Sequence, residues 1–379
     1  MTTPLVEYTL CGLRNCFMPE QKAWSFIYHL DGRAHPNESL PSKDVFYSLN
    51  VILGLATLGQ DVWARDYDLP DLLEHNAHRM FEVGAPKYAY GTALWAAAEL
   101  GVELPADVMA KFDTFIRNRN HWHDFRAQDI GMILIGLCEQ KARGNTAFDD
   151  ITPALFAFLE TNYACDTGLF FDQASGLRRN FASFATLTYL TTACYHYGTT
   201  YGSDTALSIA DRATRKIISL QGRNGEWPWF YYTSKGIVVD PYEVYSVHQH
   251  GMAALFLEFA ERRNVEGAHD ALVKGFNWIF GQNQFERPMM VPERGMFYRS
   301  IIRRGELKNS RIRAMRAVIN GVMGTEGSYI SPNDLTLRLE CRSYELGWIL
   351  YSFGTRTDVP HITHHPLFSQ AVENLRKVA

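Results

Sequence analysis

HDFRAQDIGMILIGL, His123–Leu137, opens on polar and aromatic residues and then runs into helical text that is apolar on every side. A helix with one apolar stripe lies at a surface, whereas one that is apolar all round is enclosed by other elements. The chain around it is of the amphipathic kind: KFDTFIRNRN, Lys111–Asn120, comes before, and a segment opened by Thr152 and Pro153 comes after. Working outward, the same opening recurs at Ser42–Leu58, Lys87–Leu100, Arg179–Tyr197, Asp240–Glu261 and Leu339–Phe353. LWAAAEL against ADRATRKIISLQ gives the same contrast of enclosed and amphipathic helices. The amphipathic partners are expected at Leu69–Glu82, Ala106–Arg119, Thr152–Ala164, Asp204–Gln221, Ala268–Gly281 and Pro366–Val378. Six such hairpins predict an all-α fold in which a ring of inner helices closes around one axis. The starts of the inner helices then converge on one cavity.

Local signals agree. Pro105 and Pro153 sit at first-turn positions and Thr152 at an N-cap, while Asp204 stands where the helix dipole favours an anion. Gly59, Gly101 and Gly198 fall at expected helix ends, where a left-handed residue is wanted. The repeat period is irregular and no domain boundary is visible, so residues 1–379 are expected to form a single domain. The long stretch 282–338, rich in Arg, Met and Gly, reads as an insertion forming a rim or lid. Within it MFYRSII suggests a short strand, and a short β-hairpin is expected there.

The chain carries a formal net charge of −4 with Lys and Arg scattered along it, which predicts neither a nucleic-acid nor a membrane partner. The one basic cluster runs from Arg299 to Arg316. No stretch reaches the roughly 18 apolar residues of a membrane span, and the first residues lack a basic start followed by an apolar core. A cytoplasmic protein is the expectation. The six cysteines contain no CxxC pair and read as buried free thiols. HITHH, His361–His365, lacks an accompanying Cys or acid, and no phosphate-binding glycine loop or nucleophile elbow is present, so no metal and no cofactor are expected.

The densest chemistry runs from Glu226 to His250. Trp227, Trp229 and Tyr231 offer flat faces beside the acids Glu226 and Asp240, an arrangement suited to stacking on a sugar ring while carboxylates take its hydroxyls. A Trp-Pro-Trp plug at one end of the ring is the plain alternative. Glu243, Tyr242, Tyr245, His248 and His250 open the fifth inner helix, and Glu243 in an aromatic pocket is the first candidate for a general acid. His248 and His250 lie about 200° apart on a regular helix, so one is expected to face the cavity and the other to pack against a neighbour. Asp129 is an acid in apolar text that needs either a partner, such as Arg126 or Arg178, or a role as base; Asp240 is the second base candidate. Glu340, Arg342 and Tyr344 open the sixth inner helix, and Asp44 and Tyr47 share a stripe of the first. Arg342 either clamps an anion or ties Glu340 to the rim. Arg178, Arg179, Arg299, Arg303 and Arg304 form an anionic subsite if the insertion folds over the cavity, and are solvated surface charge otherwise.

Six hairpins with aromatic, polar-capped inner helices, together with NGEWPWFY at Asn224–Tyr231 and the VYSVHQHGMA helix, resemble the (α/α)6 toroid of the six-hairpin glycosidase superfamily. That group includes N-acylglucosamine 2-epimerase-like isomerases and polysaccharide lyases. The resemblance implies a carbohydrate-active enzyme, most simply a glycoside hydrolase with two carboxylates flanking the scissile bond. Its first alternative is a sugar epimerase using opposed cavity histidines such as His248 and His123. Gln221, Gly225 and Trp227 also match once the QxxxGxW motif of the class II terpenoid cyclases, which implies an aromatic-lined cavity handling an isoprenoid. A non-catalytic glycan-binding toroid is the remaining alternative, and a cavity without a perturbed carboxylate would mark it.

Overall fold

Each of the six openings leads into an inner helix, the fourth, fifth and sixth through a short strand, so that Tyr242, Glu243 and Tyr245 precede the fifth helix and Glu340 precedes the sixth instead of opening them. In chain order the inner helices are Pro41–Ala56, Tyr88–Leu100, Ala127–Ala142, Phe184–Tyr201, Ala253–Arg262 and Ser343–Phe353. The fifth is entered through a π-helical turn, His248–Met252. Each inner helix packs on the next, and the sixth packs back on the first, which closes an (α/α)6 toroid. The computed structural model that gives this picture describes residues 2–176, 178–305 and 310–378. The part of the insertion at 306–309 lies outside the described residues.

The outer layer follows the expected partners: Leu69–Glu82, Ala106–Arg117, Thr152–Tyr163, Asp204–Ser219, Ala268–Ile279 and Pro366–Val378. One further outer helix, Pro4–Cys16, carries no counterpart in the hairpin pattern. Thr3 caps it by accepting from the Val6 amide, and it packs on the sixth inner helix and on the last outer one. The beginning and end of the chain are thereby joined across the ring.

Inner helices approach so closely that glycine is required at the seams. A Cβ on Gly54 would lie 2.1 Å from the Gly347 carbonyl oxygen, where the first and sixth helices meet, and one on Gly91 would lie 2.2 Å from that of Met132. Gly101 ends its helix at φ 68, as expected. Gly198 instead lies inside the fourth inner helix, where a Cβ would be 2.6 Å from the Leu207 side chain, and the left-handed stop is Gly202 at φ 65. Gly59 precedes a short helix with extended backbone. Close approach, rather than termination, explains Gly198.

All inner helices begin at the same end of the ring, and short antiparallel strands gather there. Phe181–Ser183, Phe230–Tyr232 and Ile237–Asp240 form one sheet ahead of the fourth and fifth inner helices. Leu335–Arg338, Ser300–Arg303 and Val244–Tyr245 form a second, and Glu340–Cys341, Ile27–His29 and Asn37–Glu38 a third. The insertion thus contributes a short β-hairpin, Met290–Val291 with Met296–Phe297, and the expected MFYRSII strand is split between it and Ser300–Arg303; the latter pairs with Leu335–Arg338, and between those two lies a helix, Ser310–Met323, that the sequence reading lacks. The six cysteines are free, and all but Cys11 are buried.

Candidate active site

A cavity of ≈ 440 Å³ opens at the end where the inner helices start. Its walls come from four places: Asp172 and Arg178 of the loop before the fourth hairpin, Arg126 and Gln128 at the start of the third inner helix, Trp229, Phe230 and Asp240 of the first sheet, and Arg313 and Ala317 of the insertion helix. The sequence folds this way locally because Ser183, which ends strand Phe181–Ser183, caps the fourth inner helix by accepting from the Thr186 amide at 3.3 Å. The cap leaves the Thr186 hydroxyl free to donate to Asp172 Oδ1 at 2.5 Å.

Asp172 is the acid that the sequence reading missed. Its backbone is pinned on both sides, with its amide donating to the Arg179 carbonyl and its carbonyl accepting from the Ala127 amide. Burial pushes its carboxyl above the usual carboxylate range, while the Thr186 hydroxyl and the charges of Arg126 and Arg178 pull the other way. Among the described residues it makes no ion pair. Its signal in the sequence was an acid behind two phenylalanines in the loop 166–178, just ahead of an inner-helix opening.

Asp240 faces the same cavity. It accepts from Arg303 Nη2 at 2.8 Å and from the Tyr242 amide at 3.1 Å. Burial raises its pKa and the Arg303 guanidinium opposes the rise. Trp229 supplies the flat wall. It lies 6.2 Å from His248 with ring planes 2° apart, 5.0 Å from Tyr245, and under the Arg313 guanidinium at 5.7 Å. Of the expected sugar platform, Trp229 alone reaches the cavity. Trp227 is buried against Phe184 at 5.3 Å, and Tyr231 is fully buried. Tyr242 is buried too, beneath the Arg303 guanidinium at 4.9 Å.

The remaining expected residues form a second, connected group at the same mouth, in which aromatic rings alternate with guanidinium groups. Arg342 lies over Phe26 at 4.0 Å, Phe26 meets Tyr47 at 5.5 Å, and Tyr47 meets Tyr344 at 4.5 Å. Arg299 then sits over both Tyr344 and Tyr245, at 5.4 and 4.6 Å. The carboxylates in this group are engaged. Glu243 accepts from Arg338 at 2.9 Å, from Tyr245 at 3.1 Å and from Ser300, with Arg313 at 3.8 Å. Glu340 takes Arg342 at 2.7 Å, so that guanidinium is tied to the rim. Glu345, in the first turn of the same helix as Tyr344, is fully buried and paired with Arg299, and burial still pushes it up to about 7.

Two expected acids serve their helix starts. Asp129 accepts from the Arg126 amide at 2.9 Å and the Tyr88 amide at 3.1 Å, joining the second and third inner helices. Asp44 accepts from the Ser39 hydroxyl at 2.5 Å, and burial raises both acids. His248 and His250 face different neighbours, and neither is among the described residues that line the cavity: the first meets Trp229 and Tyr245, the second Phe297 at 4.7 Å and Glu345 at 3.9 Å. Burial pushes each down to about 3, which leaves both imidazoles neutral. His123 lies in a separate groove with Arg119 and Trp122, edge-on to Phe158 at 5.0 Å. The side chain of Gln221 bonds the Gly225 and Ala271 carbonyls, so the single QxxxGxW match is a structural tie.

The chain matches no family profile and no curated protein. Solved structures do share its fold. A possible member of the GH105 family from Salmonella enterica aligns over 99% of this chain and 93% of its own, at 12% identity and a TM-score of 0.58. Cellobiose 2-epimerase from Bacillus thermoamylovorans aligns over 90% and 94%, at 10% identity and a TM-score of 0.60. An unsaturated glucuronyl hydrolase from Bacillus sp. GL1 aligns over 91% and 93%, at 12% identity and a TM-score of 0.54.

Proposed function

From the fold of the six-hairpin glycosidase-like superfamily, we propose that this protein is a carbohydrate-active enzyme, a glycoside hydrolase that acts on an acidic saccharide in the cavity beneath the insertion helix. One observation carries the reading: two carboxylates, the half-buried Asp172 and the buried Asp240, face one cavity in different electrostatic surroundings. Asp240 stands against Arg303, whereas Asp172 has a hydroxyl and, among the described residues, no ion pair. Pairs of titratable groups whose surroundings differ in this way divide acid and base roles between them.

In this mechanism Asp172, whose carboxyl is raised by burial, gives its proton to the glycosidic oxygen as the leaving group departs. Asp240, ion-paired with Arg303, takes a proton from the attacking water. Trp229 receives the C–H face of the ring, and Arg126, Arg178 and Arg313 meet the substrate's carboxylate or other anionic group. The insertion helix acts as the lid, with Arg313 as its charged contact. Glu243, surrounded by donors, is assigned the positioning of Arg338 and Arg313. Epimerisation by paired histidines finds less support, because no histidine is among the described residues lining the cavity.

The test is release of new reducing ends from a panel of uronic-acid-containing and neutral oligosaccharides. Wild type is expected to cleave members of the acidic set, with turnover lost in Asp172→Asn while the melting temperature holds. Cleavage of neutral saccharides alone would remove the substrate assignment. Undiminished turnover by Asp172→Asn would remove the mechanism.

A further inference from the structure

The insertion helix has two faces, and the cavity accounts for only one of them. Arg313, Ala314, Ala317 and Val318 look into the cavity. On the other side Met315 is 59% exposed, Ile319 53%, Val322 64% and Met323 71%, with Val318 at 46% on the border. Positions 315, 318, 319, 322 and 323 follow the spacing of a single helical stripe. Eight large apolar side chains are exposed among the described residues, and five of them stand on this helix of 14 residues. A sixth, Tyr329 at 40%, follows it closely.

The stripe is held outward. Lys235 Nζ donates to the Gly321 and Val322 carbonyls at 3.0 and 2.8 Å, and Asn320 Nδ2 donates to the Val239 carbonyl at 3.0 Å. Gly321 lies against the Tyr232 ring, where a Cβ would be 2.4 Å from the nearest ring atom. These ties fix which side of the helix meets the sheet.

Charge and size identify what the stripe fits. Ser310–Met323, SRIRAMRAVINGVM, holds three arginines and no acid, in a chain whose net charge is −4, with Arg313 of the three turned to the cavity. Arg316 is exposed beside the stripe. At about 1.5 Å per residue the helix is about 21 Å long and presents a face about 10 Å wide, on the order of 200 Å². A stable protein interface needs about 800 Å² from each partner. The side chains are aliphatic or thioether, unlike the rings that stack on sugars. A short basic helix with an apolar outer stripe is the composition of a segment that lies in a lipid interface. We propose that the outer face of Ser310–Met323 docks on an anionic phospholipid surface, which places the cavity mouth beside the lipid headgroups. The proposal does not depend on the reaction assigned to the cavity.

The test is co-sedimentation of the full chain with vesicles of phosphatidylcholine alone and of equimolar phosphatidylcholine and phosphatidylglycerol, at low salt. Binding to the anionic vesicles is expected to be at least about tenfold stronger and to weaken as salt rises. Ile319→Glu with Val322→Glu, both at exposed positions, should abolish it. Arg316→Glu should reduce it several-fold, with circular dichroism checking that each variant is folded. Absence of binding to anionic vesicles, or equal binding to both compositions, would overturn the proposal. So would light scattering that finds a dimer dissolved by the double substitution, since a second copy would then own the stripe.

Discussion

Glu243, which reaches the cavity-lining Arg313, and Asp172, which lines the cavity itself, have opposite surroundings. Glu243 opens the fifth hairpin among Tyr245, Ser300 and Arg338, each of which donates to it. Asp172 arrives on a loop and receives one side-chain hydrogen bond, from Thr186. A dense cluster of polar and aromatic residues is therefore a poor guide to which acid is left with a proton to give. Density supplies partners, and partners consume the charge. The acid without an ion pair lies in the sparser region.

The contrast is broken most directly by exchanging the two carboxyls for amides. Asp172→Asn is expected to lower turnover by about 10²–10⁴-fold with an unchanged melting curve. Glu243→Gln should act on the fold, because removing one partner of a buried pair leaves guanidinium groups uncompensated. A cost on the order of 3 kcal/mol is expected by chemical denaturation. If Glu243→Gln instead abolishes turnover at full stability, the roles are reversed.

Arg178→Ala sharpens the contrast in two ways. Losing one charge-assisted bond to an anionic substrate should raise KM about tenfold with kcat maintained, a difference of about 1.4 kcal/mol. The same change removes a positive charge that lowers the Asp172 pKa. Activity that needs protonated Asp172 falls as pH rises through its folded pKa, so the alkaline limb of the pH–rate profile should move to higher pH in Arg178→Ala.

The smallest effect concerns the buried knot behind the cavity. His250 is held down to about 3 from an ordinary 6.5, so the unfolded chain binds the extra proton in that interval. The stability it contributes is present above 6.5 and is lost as pH falls toward 3. Glu345 runs the other way, since its carboxyl is raised from 4.5 to about 7 and its contribution, complete below 4.5, is lost as pH rises through 7. His250→Asn should therefore flatten a melting-temperature profile below 4.5 and, between 4.5 and 6.5, remove the contribution that opposes the Glu345 drift.

The fold was legible because burial writes a periodic record: six stretches apolar on all sides, each alternating with an amphipathic one. The end of the ring that holds the cavity was legible for the same reason. Individual site residues were less so. Trp229 and Tyr231 sit two apart, yet a shift in strand register between Phe230 and Tyr231 separates their fates. The pairing of Arg338 with Glu243 joins positions 95 apart, and no local pattern announces it. Asp172 was hidden because its environment is made by Thr186, Arg126 and Arg178 from separate segments.

The seam between Gly54 and Gly347 has a consequence for how the chain matures. Helix Pro4–Cys16 leaves the ribosome before the six hairpins, but its neighbours, Ser343–Phe353 and Pro366–Val378, follow only after five of them. Contacts so distant in sequence form slowly, and until they form both flanks of an open crescent expose apolar helix. Every nascent copy therefore passes through an unclosed arc, and chaperone demand should track the time needed to synthesise the sixth hairpin.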